Sequence, residues 1–383
     1  MPRTYVGVPG AEVTPVFDPA LKHYQDAFRA ADPRFSDEEA GRRWREARAA
    51  ALEQVVRAVA RSRWAGGLVL RGSMLLRAWY GEAARDPGDL DFVVVPEHRD
   101  IGDAETGRMF AGIGRAAEEG PIPIDASGAR TDDIWTYDRV PGRRLVLPWD
   151  AGGGMSGAVQ LDFTFGERLP LPPEPTRVAG VEIPAATPEL SLAWKLQWLL
   201  TDAYPQGKDL YDAVVLSERT TVSHRLLKEL AVSVLPGYAS TPLSSAAFDL
   251  ANADWEDPDL PPSRDALIAR LTTAIDAICA EPLDEPDDDE GRRVLWFGPR
   301  IDACRTAART GGAKAVGDLL VREDSMAFED QALIASEALG VPLREAARVL
   351  LADWKHLNGY YVRQEAHLMS RLDVLTRPPG RTS

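Results

Sequence analysis

Residues 66–96, GGLVLRGSMLLRAWYGEAARDPGDLDFVVVP, constrain the fold most, because two apolar runs there alternate with charged residues. The run GGLVL predicts a short buried strand, SMLLRAWYG predicts a helix that begins at Gly72-Ser73, and LDFVVV predicts a second strand. Asp89 and Asp91 are two residues apart, so both project from the same face of that second strand. Two carboxylates held so close repel each other unless a positive charge lies between them.

The Asp89 and Asp91 pair favours a divalent metal, because hard oxygen ligands suit Mg²⁺ or Mn²⁺, and such an ion bridges to substrate phosphates. Gly72 and Ser73 lie upstream, where free backbone N–H groups and a small hydroxyl can hold a phosphate. Each pattern alone has an ordinary explanation, namely solvated aspartates after a Pro-Gly turn and a helix N-cap. A phosphate site followed by a metal-binding strand predicts nucleotide chemistry.

A third carboxylate, Asp162, interrupts the apolar strand pattern AVQLDFTFG. An aspartate in mid-strand is costly if it is buried without a partner. It is therefore a candidate third acid at the metal site, where it would serve as the base for an attacking hydroxyl. The alternative is a solvated polar face that Asp162 shares with Gln160 and Thr164.

The length of 383 residues and a hydrophobic content of 45% predict two or three domains. Strand and helix patterns alternate up to the proline-rich segment LPLPPEPTRVAGVEIPAATP, and helical periodicity dominates after it. This pattern predicts an α+β fold. We expect a first domain over residues 1–186, with an N-terminal extension, a leading helix that Ser36 caps and a mixed sheet, and a mainly helical domain over residues 187–383.

The net charge of −15 counts against a broad, sequence-independent grip on nucleic acid, where basic residues supply most of the affinity. A local basic groove stays open as a hypothesis, formed by Arg61, Arg63, Arg71, Arg77 and Arg85. The two cysteines lack metal-ligand spacing and disulfide density. Without a charged-then-apolar leader or a long apolar run, we expect a cytoplasmic protein that does not enter the membrane.

Four motifs, in this order, resemble the AbiEii-type toxin nucleotidyltransferases, the group that includes the MenT toxins, within the polymerase-β-type nucleotidyltransferase superfamily. They are LRGSMLL with ARDPGDLDF, then LDFTFG, TPELSLAWKLQWLL and GKDLYDAVVL, and they cover roughly residues 60 to 220. The resemblance implies a polymerase-β-like domain that joins NMP from an NTP to an acceptor hydroxyl and releases pyrophosphate. Asp89, Asp91 and Asp162 would be its metal ligands.

The later motifs imply further site residues on two helices. By resemblance, Lys195 neutralises the triphosphate, and Asp209 orients that lysine or the acceptor. Lys208 and Asp212 are expected beside the nucleotide with Gly72 and Ser73. Ordinary alternatives are a surface pair between Lys208 and Asp212 at i, i+4, and a Lys195 ammonium that reaches solvent.

The acceptor that the resemblance implies is RNA, most directly the 3′ end of tRNA, in a toxin of a toxin–antitoxin or phage-defence system with a cognate antitoxin. Two other functions stay open: transfer to a small molecule or protein, and an inactive binding partner. An arginine surface beside Asp91 would favour RNA, and a closed apolar pocket would favour a small molecule. The sequence does not indicate which NTP is used, the oligomeric state, or the role of residues 1–35 and 220–383.

Overall fold

The computed structural model describes residues 11–21, 27–97, 99–136, 140–202, 205–255, 263–323, 325–354 and 359–375. It confirms the predicted α+β fold with a mixed sheet. Two compact units form, one from Met1–Val222 with Asp249–Leu271, the other from Ser223–Phe248 with Thr272–Ser383. The sequence predicted a division after residue 186, whereas the two helices that follow this residue group with the sheet.

The first unit is built on two sheets. A small hairpin pairs β1, Pro15–Phe17, with β2, Phe28–Ala30. The large sheet contains β3 Leu68–Arg71, β4 Leu90–Val94, β5 Arg130–Thr136, β6 Val140–Asp150, β7 Ser156–Thr164, β8 Glu174–Val178 and β9 Val181–Ala185. Its strand order is β5-β6-β7-β4-β3-β9-β8, in which β4 and β7 are parallel, as are β3 and β9.

Two helices, α1 Glu38–Arg61 and α3 Ala104–Ala117, cover the apolar face of the large sheet. The cap of α1 is Asp37, not the predicted Ser36, because the Asp37 carboxylate accepts a hydrogen bond from the Glu39 N–H at 3.0 Å. On this face Phe92 of β4 stacks on Phe163 of β7 with ring centroids 5.5 Å apart. The opposite face of the same strands is thereby left for Asp91 and Asp162.

The proline-rich segment, before which the strand patterns were expected to end, itself contains the hairpin of β8 and β9, so that expectation was wrong. Ala179 and Gly180 form its turn with positive φ angles of 50° and 79°. Strand β9 then joins the large sheet beside β3, with Ala185 in register with Leu70. The prolines misled the prediction, because Pro175 and Pro184 face each other across the hairpin, where neither has an N–H to donate.

Helices α2 Ser73–Tyr80, α4 Pro188–Thr201 and α5 Gly207–Ser217 complete the first unit, and α7 Arg264–Cys279 crosses from the first unit to the second along the chain. The second unit holds α6 His224–Val234, α8 Asp289–Trp296, α9 Gly298–Leu320, α10 Phe328–Leu339, α11 Leu343–Trp354 and α12 Gly359–Leu375. Its core packs around the fully buried Trp354 and Phe297. In the part of the chain that the structure describes, no helix is long and apolar enough to span a bilayer.

Candidate active site

A row of charged side chains crosses the large sheet at the level of Asp91. The register pairs Arg71 of β3 with Asp91, Asp91 with Asp162 of β7, and Asp162 with Arg144 of β6. Register partners on adjacent strands project from the same face. The row therefore reads cation, anion, anion, cation, and it places the two predicted acids side by side.

The turn at Gly72 brings the backbone against the Asp91 carboxylate. Gly72 has φ +82°, and a Cβ built on it would lie 2.5 Å from Asp91 Oδ2. Only glycine combines this φ with so close an approach. The Gly-Ser turn therefore holds the first turn of α2 beside the Asp91 carboxylate.

Ser73 begins α2 and is almost fully buried, yet its Oγ makes no hydrogen bond within the described residues. A buried hydroxyl without a partner costs free energy, and a bound ligand would supply the missing hydrogen bond. Free N–H groups at the first turn of a helix attract anions for the same reason. Ser73 and Gly72 thus fit the predicted phosphate-binding role.

The loop that ends at Asp89 is held in place from three sides. Arg85 in this loop forms a bidentate ion pair with Asp212 of α5 at 3.0 Å. The Tyr211 hydroxyl donates to the Ala83 carbonyl at 3.1 Å, and Arg48 of α1 donates to the Pro87 carbonyl at 3.1 Å. Asp89 therefore enters the cleft from a fixed loop, immediately before β4.

The carboxylates of Asp89 and Asp91 lack protein partners, because neither side chain forms a hydrogen bond or ion pair within the described residues. Removal from solvent, together with the charges of Asp89 and Asp162, raises the pKa of Asp91 to about 7. For Asp89, burial acts to raise the pKa, but Lys208 and the nearby arginines outweigh it and the pKa is lowered. The pair therefore holds negative charge that the protein does not neutralise by contact.

Lys195 of α4 is buried between two carboxylates of α5. Its Nζ lies 2.7 Å from Asp209 Oδ1 and 3.0 Å from Asp212 Oδ2. Burial acts to lower the pKa of Lys195, but the two aspartates outweigh it and raise the pKa above its usual value. Lys195 is thus an ion-paired ammonium in the cleft wall, and its chain does not run out to solvent.

The two predicted aspartates of α5 differ in environment. Asp212 is fully buried between Lys195 and Arg85, and these cations lower its pKa although burial opposes them. Asp209 forms an ion pair with Lys195 and lines the cleft. Lys208 also lines the cleft and is half-buried, and it pairs with no carboxylate of the described residues, including Asp212.

Sequence reasoning missed three buried partners of the site. Arg144 donates to both oxygens of Asp162 at 2.8 Å and to Asp18 Oδ2 at 2.6 Å. Arg71 pairs with Glu167 at 2.6 Å. Each pair joins residues that are far apart in sequence, 126 positions for Asp18 and Arg144, so no local pattern indicates it.

A divalent metal, which the resemblance implies, fits Asp89 and Asp91 by donor chemistry. Both side chains offer hard oxygens without protein partners, and the orphaned Ser73 hydroxyl lies at the adjoining helix terminus. Asp162 differs, because both of its oxygens accept hydrogen bonds from Arg144. Within the described residues no group of three or more carboxylate, histidine or cysteine side chains is arranged to hold a metal.

Of the predicted site residues, all except Gly72, Ser73 and Asp212 line one cleft of about 150 Å³. Among its described lining residues, six carboxylates face six cations. The carboxylates are Asp18, Asp89, Asp91, Asp162, Asp202 and Asp209, and the cations are Arg29, Arg71, Arg85, Arg144, Lys195 and Lys208. Because these charges balance, the cleft cannot neutralise an incoming triphosphate without added cations.

The profile of the family described as "Nucleotidyl transferase AbiEii toxin, Type IV TA system" matches residues 54–290, more than half of the chain. The chain belongs to this family. The match spans the Gly-Ser turn, the three aspartates and the helices that carry Lys195 and Asp209. The activity of the AbiEii family, as its description states it, is nucleotidyl transfer by a toxin of a toxin–antitoxin system.

Among solved structures, MenT4, a nucleotidyltransferase toxin from Mycobacterium tuberculosis H37Rv, is similar at 18% sequence identity and a TM-score of 0.43. The similarity covers 64% of this chain and 86% of MenT4. No curated protein sequence matches significantly.

Proposed function

We propose that this AbiEii-family chain transfers a nucleoside monophosphate from an NTP to an acceptor hydroxyl in a reaction that requires Mg²⁺ or Mn²⁺. The observation that carries the proposal is the pair of unpartnered carboxylates, Asp89 and Asp91, beside the orphaned Ser73 hydroxyl. A site with balanced protein charges and two free acids needs a divalent cation before it accepts a triphosphate.

Five residues of the site have defined tasks in this reaction. Asp89 and Asp91 hold the cation, which supplies positive charge for the triphosphate and the leaving pyrophosphate. The Ser73 hydroxyl and the first N–H groups of α2 donate to phosphate oxygens. Lys195 adds a fixed positive charge in the cleft wall, and Asp209 keeps its ammonium in place at 2.7 Å.

Asp162 is the candidate base for the proton of the acceptor hydroxyl. Burial raises its pKa, with Asp89 and Asp18 adding to the effect, although the contact with Arg144 opposes them. A carboxylate with a raised pKa takes up a proton more readily near neutral pH. The prediction that Asp162 also ligates the metal stays a prediction.

RNA is the acceptor class that we propose first, with the 3′ end of tRNA as its leading member, because the family consists of nucleotidyl transferase toxins. A toxin that modifies tRNA blocks growth, so its host needs a cognate antitoxin.

The arginines near the site favour a second candidate, transfer to a small molecule or protein. Arg63 pairs with Glu105, Arg77 with Asp86, and Arg85 with Asp212. Arginines that are already paired form a poor continuous groove for phosphates. A small-molecule or protein acceptor needs no such groove.

The test is incubation of the purified protein with each radiolabelled NTP, Mg²⁺ and an acceptor, with D91A as the inactive variant. The acceptor arms are total tRNA, a tRNA pool with oxidised 3′ ends, and a metabolite and protein extract freed of RNA. Label on intact tRNA alone, absent in D91A, supports the first candidate. Label in the RNA-free arm alone supports the second candidate. Full activity of D91A would sink the metal assignment.

A further inference from the structure

The N-terminal segment that carries β1 contributes one carboxylate, that of Asp18, to the candidate active site. Asp18 follows β1 and is only 5% exposed. Its backbone N–H donates to the Ala27 carbonyl, and its Oδ1 accepts from the Ala20 N–H at 3.0 Å. Its other oxygen, Oδ2, accepts from Arg144 at 2.6 Å. Asp18 is therefore fixed on one side by its own segment and on the other by a strand of the large sheet.

Arg144 is held by three hydrogen bonds to two carboxylates. Nε and Nη2 donate to Asp162, and Nη1 donates to Asp18. The Arg144 side chain is 3% exposed, so water has little access to its hydrogen bonds with Asp18 and Asp162. We call these three residues, Asp18, Arg144 and Asp162, the clamp.

The clamp lies one strand away from the metal carboxylates. Arg144 is in register with Asp162, which is in register with Asp91, and adjacent strands are about 4.8 Å apart. Because β7 lies between β6 and β4, Arg144 and Asp91 are two such spacings apart, and an extended arginine side chain is long enough to reach over β7 toward the Asp91 carboxylate. The charge of Arg144 already acts on Asp89 through space. If Arg144 lost its present partners, it could pair with the half-buried Asp91 carboxylate, which has no protein partner.

We propose that Asp18 is a positioning residue of the active site, which together with Asp162 sequesters Arg144 and so keeps Asp89 and Asp91 free for the divalent cation. Loss of Asp18 removes one of the two carboxylates that hold the guanidinium. Arg144 then shifts toward Asp91 and competes with the cation. The proposal rests on the metal site of the proposed function, but its test needs neither NTP nor acceptor.

The test measures binding of Mn²⁺ to the full chain by the electron paramagnetic resonance signal of the free ion. In D18N, which keeps the shape of the side chain but not its charge, we expect affinity to fall by about tenfold, the lower end for outer-shell partners of metal sites. D18N/R144Q lacks the arginine that competes with the cation, so we expect its affinity for Mn²⁺ to return to within about twofold of the wild type. In R144Q alone, affinity equals or exceeds that of the wild type.

The matched control is D18N/R29Q. Arg29 lines the same cleft, and its charge acts on both Asp18 and Asp89, so its removal changes the charge as R144Q does but leaves Arg144 in place. We expect D18N/R29Q to stay as weak as D18N. Equal recovery in both double variants would overturn the proposal, because charge alone would then explain the effect.

Two further outcomes would also overturn it: wild-type affinity in D18N, or weakened binding in R144Q alone. Far-UV circular dichroism and a thermal melt establish that each variant is folded, and R144Q decides the question if D18N is not. D91N distinguishes the two proposals. Wild-type Mn²⁺ affinity in D91N would refute the metal site itself, and the clamp would then have no metal site to protect.

Discussion

The buried Asp91 side chain lowers the stability of the metal-free folded protein when it is ionised. Its pKa in the folded protein is about 7, above the ordinary value of 3.8, so the folded state resists ionisation of this side chain. A carboxylate with a raised pKa favours folding most at pH values below 3.8, and that contribution is lost as the pH rises through 7. At pH 8 the ionised Asp91 therefore destabilises the metal-free protein.

We predict that D91N raises the free energy of unfolding of the metal-free protein at pH 8, on the order of 2–4 kcal/mol, by linkage. The gain should be smaller at pH 5, where the native side chain is protonated. Chemical denaturation at both pH values measures it, with D86N, an exposed aspartate of the same loop, as control. An equal gain at the two pH values would contradict the pKa of Asp91.

Gly72 provides a second prediction, with Gly81 as its matched control. Both have positive φ, but a Cβ at Gly72 would strike Asp91 whereas a Cβ at Gly81 would meet open space. We expect G72A and G81A each to lose about 1 kcal/mol of stability. Transfer activity should fall at least about a hundredfold in G72A alone, as measured by initial rates. Similar activity in the two variants would show that the Gly72 contact does not matter.

The site residues differ in how far the sequence could predict them. Asp91 and Asp162 follow from strand parity, because a carboxylate that shares a strand with buried apolar residues is conspicuous, whereas Asp89 lies in the loop immediately before β4. Arg144 carries no such signal, since its role depends on contacts with Asp18 and Asp162, which lie 126 and 18 positions away in the sequence. Ion pairs across 126 positions are decided by tertiary packing, which periodicity does not encode.

At the scale of elements, α5 serves the site through two aspartates with different tasks. Asp212 is fully buried and joins α4 to the loop before β4 through Lys195 and Arg85. Asp209 is partly exposed at the cleft. The predicted helix α5 was found where the periodicity indicated, but only burial distinguishes Asp212, which is fully buried, from Asp209, which lines the cleft.

We therefore predict that D212A destabilises the protein by about 3–5 kcal/mol, because it leaves Arg85 without its carboxylate and the buried Lys195 with only one of its two partners. D209A should cost about 1–2 kcal/mol, since a water molecule can replace the exposed partner of Lys195. Equilibrium urea unfolding compares the two variants. Equal losses of stability would contradict the distinction between them.

The sequence did not predict the hairpin of β8 and β9 or strand β5. The sequence indicated β3, α2, β4, α4 and α5, because each has a clear apolar period and a turn or cap. The hairpin was hidden by its prolines, and β5 by the polar run RTDDIWT. Their pairing with neighbouring strands decides their conformation, so the local pattern is not sufficient.

The net charge of −15 acts at the scale of the whole molecule. If RNA is the acceptor, few phosphates meet unpaired cations, so binding should depend only weakly on salt. We predict that the logarithm of tRNA affinity falls with the logarithm of salt concentration with a slope of magnitude below about 3. Fluorescence anisotropy with labelled tRNA and the inactive D91N variant measures this slope. A slope steeper than about 5 would reveal a basic surface that the ion pairs described above do not provide.

The proposed function requires that Asp89 and Asp91 hold the cation that accepts the triphosphate at the Gly72-Ser73 turn. The most direct measurement is a crystal structure with Mn²⁺ and a non-hydrolysable NTP, in which anomalous scattering locates the metal. We predict an anomalous peak within bonding distance of both carboxylates, with a phosphate oxygen accepting from Ser73 and Arg144 still on Asp162. A metal that Asp91 does not ligate, or a triphosphate bound away from Ser73, would contradict the proposed function.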